Sequence, residues 1–410
     1  MVFYLEASCL YVVNYGKSAK STFSVIDLEK KSMVGFPTPI GCGSSAVAVI
    51  SALGHPYAYV TSYVEDSVWV IDLKTNQPVC PPVAVGMGPT SIATAFVETV
   101  PYAYVVNSQS DNISVINLNT NTLEGEEIEV GPNPTAIAIA NVLGKLYAYV
   151  TNYLDSTVSV INLKTREVED ILFLDSAPSA LAIASISGVP YAYIISDDAS
   201  SLSIINLITR KPEIQKLKLE QEPISIAALE TANVAYAYLG HLESRDISVF
   251  NLHAKSFLSK RISADNPPYT IISGKINEKP LIFSANYLAA TVSVIDPMQN
   301  KVLYAVSSGE YPVGLAVFSV EPASSLRGMK KKQPLQENGA CYSRLFWKRS
   351  SSPNLAGYFL YRNRELIATL SNNVRSYLDR HVTSLEPDVY SLVAFDQQGR
   401  SSEPVTLQLK

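Results

Sequence analysis

The chain has 410 residues, 47% of them hydrophobic and 17% charged, with a formal net charge of −5. That composition excludes a disordered chain, and no apolar run reaches the roughly 20 residues of a helical membrane span. Residues 321–410 carry 13 Lys and Arg against 8 Asp and Glu, which leaves 19 basic and 29 acidic residues in the rest, a net charge there of −10. So acidic a body argues against nucleic acid as the main partner, because phosphate binding rests on clustered basic residues.

The N-terminal run MVFYLEASCLYVVNY has no basic segment and is interrupted by Glu6, so it does not read as a signal peptide. From there the chain repeats itself. SVIDL at Ser24–Leu28 returns at Trp69–Leu73, Ser114–Leu118, Ser159–Leu163, Ser203–Leu207, Ser248–Leu252 and Ser293–Pro297, in steps of 45, 45, 45, 44, 45 and 45 residues. A fixed period of this size marks a repeat architecture.

Residues 135–174 show what one repeat contains. Thr135–Ala140, Leu146–Tyr153 and Thr157–Leu163 alternate apolar with small or polar residues and are rich in β-branched and aromatic side chains, and Val168–Leu174 is a looser fourth run. Such runs predict strands. Leu143-Gly144-Lys145, Leu154-Asp155-Ser156 and Lys164-Thr165-Arg166 predict the turns between them. No stretch has a helical period. Four antiparallel strands per repeat, seven times over, predict an all-β fold: a seven-bladed β-propeller of four-stranded blades over residues 1–319. Small residues recur where the innermost strand crowds the axis, at Ala48, Ala93, Ala138, Ala182, Ala227 and Ala316. The chain starts in a second strand at Cys9–Asn14 and ends the array with an extra inner strand at Val313–Ser319. The last strand should therefore complete the first blade and close the ring, leaving no free edge.

YAYVTNYLDSTVSVINL at Tyr147–Leu163 resembles the YVTN-type β-propeller repeats, with copies at Tyr57–Tyr63, Tyr102–Ser108, Tyr191–Asp197 and Tyr236–Leu242 and shorter versions at Leu10–Tyr15 and Leu281–Tyr287. The resemblance covers residues 9–319. It implies a scaffold more than a reaction, in a bacterial or archaeal protein that is exported or surface-associated. Residues 320–410 resemble a fibronectin type III β-sandwich, with a linker or first strand over about 320–340. The resemblance rests on Leu345-Phe346-Trp347, Leu355–Asn363, Ser376–Asp379 and Asp388–Gly399, and on a tyrosine corner at Leu385-Glu386-Pro387 before Tyr390. Lys330-Lys331-Lys332 reads as an exposed first strand or linker.

Catalytic signatures are sparse. His55, His241, His253 and His381 do not pair at metal-ligand spacing, and Cys9, Cys42, Cys80 and Cys341 form no CxxC pair or disulfide framework. No catalytic residue, metal site or cofactor is predicted. Candidate binding residues lie in the loops from second to third strand, which begin with Asn14-Tyr15, Ser62-Tyr63, Asn107-Ser108, Asn152-Tyr153, Ser196-Asp197, His241-Leu242 and Asn286-Tyr287. An amide beside an aromatic ring suits a glycan or peptide, although Asn and Ser also satisfy their own turns. The loops that cross between blades join them on the same face. Three are glycine-rich, and the next four carry Asp175, then Glu220 and Glu222, then Asp265, then Glu310. Four consecutive acidic loops predict a sector suited to a cation or basic ligand. The expected function is non-enzymatic recognition of a protein, peptide or glycan; the alternatives are a lactonase-like hydrolase with its site at the channel mouth and, less favoured, nucleic-acid binding.

Overall fold

The computed structural model describes residues 9–317 and 326–409, apart from 17–19, 53–54, 99, 232–233, 265, 277–278, 333–340, 351–354, 364, 383–387, 397–400 and 403–404. Every regular element among them is a strand. The chain divides into two compact units, Met1–Val49 with Pro56–Phe318, and Ile50–His55 with Ser319–Lys410.

In the first unit the described strands form seven antiparallel sheets. The repeat read from sequence is the fourth of these, with strands Pro134–Val142, Lys145–Asn152, Thr157–Asn162 and Glu167–Phe173 in spatial order. Side chains alternate between the two faces of a strand, and here both faces are covered. Ala148, Val150 and Ile161 pack with Tyr104 and Val106 of the sheet before. Tyr147, Tyr149, Val158 and Val160 pack with Ala192 and Ile194 of the sheet after. That explains why the run YAYVTN is wholly buried although it is not uniformly apolar. The second tyrosine of each YAY copy, at Tyr59, Tyr104, Tyr149, Tyr193 and Tyr238, is fully buried between sheets. Each such ring contributes roughly 2–3 kcal/mol of apolar burial.

The outermost strand departs from the expected pattern. It is continuous at Glu167–Phe173, Lys211–Lys218 and Lys301–Ser307, but elsewhere it breaks into two-residue pieces, such as Ser32–Met33 with Thr38–Pro39 and Gln77–Pro78 with Val83–Ala84. Pro37 in the first break, and Pro81 and Pro82 in the second, have no N–H to give to a ladder. Nothing comparable explains the break between Ser256–Phe257 and Ile262–Ser263.

Pro312–Val317 pairs with Cys9–Asn14, with Leu10 opposite Val317 and Val12 opposite Leu315. The last inner strand thus completes the first sheet, as its sequence position requires. Neighbouring sheets are joined by hydroxyls near the starts of their inner strands. Ser45 Oγ donates to the Pro89 carbonyl, Thr135 Oγ1 to Pro178 and Ser225 Oγ to Pro268, each at 3.2 Å. Thr270 Oγ1 donates to Val313. The backbone of Gly314 lies so close to Ser45 that a Cβ there would stand 3.1 Å from the Ser45 carbonyl.

The second unit has one sheet of Leu326–Lys332, Cys341–Trp347 and Ser376–Val382, and another in the order Glu365–Ser371, Leu355–Arg362, Asp388–Asp396, Val405–Leu409. Lys330–Lys332 closes the first of these strands. Trp347 packs edge-on to Tyr358 at 5.7 Å, in a core with Leu345, Leu360, Tyr390 and Leu392. Residues 385–387 of the expected tyrosine corner lie outside the described residues. The Tyr390 hydroxyl donates to Asp379 Oδ2 at 2.9 Å, and Arg362 pairs with that same oxygen at 2.9 Å.

Candidate binding face

Within each sheet of the first unit, the loop from second to third strand and the crossover to the next sheet emerge at the same strand ends. Main-chain bonds tie the two together: Tyr15 N–H to Tyr311 (2.8 Å), Tyr63 to Gly43 (3.0 Å), Ser108 to Gly88 (2.9 Å) and Tyr153 to Asn133 (3.0 Å).

The asparagines that open these loops are not presented to solvent. Asn14, Asn107, Asn152 and Asn286 are buried. Each turns its amide inward onto the third strand. Asn152 Nδ2 donates to Thr157 Oγ1 and Ser159 Oγ, both at 2.9 Å, and Asn286 donates to Thr291 at 2.9 Å and Ser293 at 2.8 Å. Asn107 donates to Asn112 and Ser114, and Asn14 to Thr22 and Ser24. The reading of these amides as ligand groups is corrected: a buried donor must be satisfied, and here the fold satisfies it. The crossover glycines have the same origin. A Cβ on Gly86 or Gly131 would stand 2.6 Å from the amide nitrogen of Asn107 or Asn152. His241, at the equivalent place, is also buried. Its Nδ1 faces the Glu222 carbonyl at 3.3 Å and so carries the proton, which leaves Nε2 to accept from Ser248 Oγ at 2.8 Å.

The tyrosines do reach the surface. Tyr15, Tyr153 and Tyr287 are half-buried, Tyr63 is exposed, and Gln109 Nε2 donates to the Tyr63 hydroxyl at 2.6 Å. Asp197, then partial burial, Asp198 and Glu222 push the Tyr153 hydroxyl above the usual phenol range. Carboxylates from the following sheets therefore face that ring. The acidic loops are not equivalent. Arg261 neutralises Glu220 at 2.7 Å, and Gln215 Nε2 donates to Asp175 at 3.3 Å. Glu222 and Glu310 are exposed, and Asp265 lies outside the described residues. Among the described residues no three His, Cys, Asp or Glu side chains are placed to hold a metal ion.

Two tyrosines not singled out from sequence complete the face. Tyr269 stacks on Tyr287 with centroids 5.1 Å apart and planes at 28°, and Tyr287 meets Tyr311 of the adjoining sheet at 5.1 Å and 41°. Tyr269 and Tyr311 are each 44% exposed. Tyr311 has φ +56°, at the place where Gly43 has +66°, Gly88 +65° and Asn133 +52°. A bulky side chain in this left-handed region costs about 1–2 kcal/mol. Tyr269 stands where four other repeats have Ser45, Thr90, Thr135 and Ser179 and two have Ile224 and Val313. Comparing the repeats position by position reveals both exceptions; searching for motifs does not. Val64, Met87, Leu154, Leu242 and Leu288 are exposed in the same loops.

No family model matches the chain, and no curated protein matches it. Solved structures do. A protein from Bacteroides uniformis assigned provisionally as a 6-phosphogluconolactonase aligns at TM-score 0.58 and 16% identity, covering 75% of this chain and 98% of its own. A functionally unknown protein from Desulfotomaculum acetoxidans aligns at TM-score 0.57 and 15% identity, with the same coverage of 75% and 98%. Streptogramin B lyase aligns at TM-score 0.51 and 14% identity, covering 70% and 93%. At such identities the likeness concerns the fold alone, and it is β-propeller-like.

Proposed function

We propose that the chain is a seven-bladed propeller of the YVTN kind joined to a fibronectin type III-like sandwich. In this reading it is a non-enzymatic binding protein, exported or surface-associated, that recognises a protein, peptide or glycan through its loop-rich face. The pairing of Pro312–Val317 with Cys9–Asn14 supports ring closure. The three- and four-stranded sheets of the second unit, with Trp347 and Tyr390 in their core, support the sandwich. One observation carries the functional reading: tyrosine and aliphatic side chains are exposed together in the loops of one face, among them Leu154 at 68%, Leu288 at 64% and Val64 at 61%. Large apolar side chains exposed in the loops of one face are candidates for contact with a partner.

The likeness to a candidate phosphogluconolactonase favours a second reading, a hydrolase acting at the same face. One experiment separates the two. The full chain is screened on peptide and glycan arrays beside an assay of lactone hydrolysis. The binding reading predicts array hits that disappear when Val64, Leu154 and Leu288 are replaced together by Lys, and no lactone turnover. Turnover with no array hits would replace it with the hydrolase.

A further inference from the structure

We infer that the stack of Tyr269, Tyr287 and Tyr311 is the docking groove for an extended, proline-rich peptide segment bearing a lysine or arginine. This rests on the binding reading above and narrows it.

Tyr311 departs from the repeat. Where positive φ occurs at its place in other repeats, Gly43, Gly88 and Asn133 supply it, and Ala177, Glu222 and Pro267 stand there without it. A tyrosine held there in a sparsely populated conformation, with nearly half its surface open, adds little to the core. Strain kept without a packing reason points to a ligand. Tyr269 is the one aromatic residue at its place, where the other repeats have Ser45, Thr90, Thr135, Ser179, Ile224 and Val313.

The three rings, drawn from two adjoining sheets, are linked through Tyr287, with 5.1 Å between centroids in each contact. Tyr15 lies beside it, its main-chain N–H bonded to the Tyr311 carbonyl at 2.8 Å. Burial, then the neighbouring Tyr287 and Tyr15, push the Tyr269 hydroxyl above the usual phenol range. Apolar faces bordered by hydroxyl donors match a polyproline II segment. Such a segment presents flat pyrrolidine rings and carbonyls that have no partners within their own chain. It also loses little entropy on binding, having few conformations to give up.

The surroundings of the rings favour peptide over sugar. Leu288, next to Tyr287 and 64% exposed, adds aliphatic surface that a polyhydroxylated ligand would leave unmatched. Exposed Glu310 adjoins Tyr311 within a body of net charge −10, complementary to a cationic side chain. A cation over a tyrosine face gains further attraction from the ring quadrupole.

The test uses the full chain. An array of PxxP peptides is made in two versions, with flanking Arg and with flanking Glu, and cellohexaose and chitohexaose serve as glycan probes. The Arg peptides should bind. The Glu versions, and the variants Tyr311→Asn and Tyr269→Thr, should each weaken binding by about tenfold or more. Tyr311→Asn copies Asn133, so its Tm should stay within about 2 °C of the parent. Hexaose binding without peptide binding would make the row a glycan site and overturn the inference. So would PxxP peptides that do not bind, or that bind without regard to Tyr311; array hits of another kind, lost with the Lys variant, would leave the broader reading standing. A Tm fall of several degrees in Tyr311→Asn with unchanged affinity would make Tyr311 a structural residue.

Discussion

A buried amide fixes the loop that follows it. Asn152 Nδ2 donates to two hydroxyls of the next strand at 2.9 Å, so Asn152→Ala would take a donor from both, although Thr157 keeps its bond to Asp155 at 2.7 Å. Denaturant unfolding should show a loss of about 2–3 kcal/mol. The loop's position was legible in the sequence, but the direction in which the amide points was not. Asn is equally at home capping an exposed turn, and only the hydroxyls at positions i+5 and i+7, brought opposite by strand pairing, turn it inward. His241 occupies the same place with an ionisable ring. Burial, reinforced by Arg261, lowers its pKa, while the Glu222 carbonyl and Asp246 oppose the shift. The folded chain therefore binds fewer protons than the unfolded chain just below the ordinary histidine value of about 6.5. The stability held by neutral His241 is complete above that value and is lost as pH falls below it toward the depressed folded value. His241→Asn, copying the other repeats, should flatten the decline of Tm between about pH 6.5 and 5. An equal decline in both proteins would exclude His241 as its source.

At the scale of the strand, the YAY runs differ in what their buried hydroxyls meet. Tyr59 donates to Asn121 Oδ1 at 2.9 Å, whereas the Tyr149 hydroxyl has no partner among the described residues. Tyr59→Phe should cost about 1 kcal/mol, and Tyr149→Phe should cost nothing or add stability. Thermal unfolding of the two variants checks the contrast. The strands themselves were legible because alternation, turn residues and a fixed period all agree. The broken outer strands were less so. An edge strand contributes little burial and depends on local features, of which proline is only one: Lys211–Lys218 runs unbroken through Pro212, while the break after Phe257 has no proline. The stack was missed for a related reason. Tyr269 and Tyr311 belong to no motif, and they stand out only when the repeats are aligned position by position and the rings are seen to stack.

At the scale of the molecule, the repeat accounts for the scaffold and leaves recognition to departures from it. In the acidic sector read from four consecutive loops, Arg261 pairs with both Glu220 and Asp246, an ion-pair arrangement that leaves no spacing signature in the chain. What remains on that face is aromatic and aliphatic surface beside a few free carboxylates. Partners should engage this face and not the opposite ends of the same strands. Photo-crosslinking residues placed singly at Leu154 and Leu288, and at Leu143 and Met298 in turns at the opposite strand ends, test it in the source cells, since all four positions are exposed. Adducts from Leu154 and Leu288 alone are predicted; adducts from Leu143 or Met298 in their place would contradict the account.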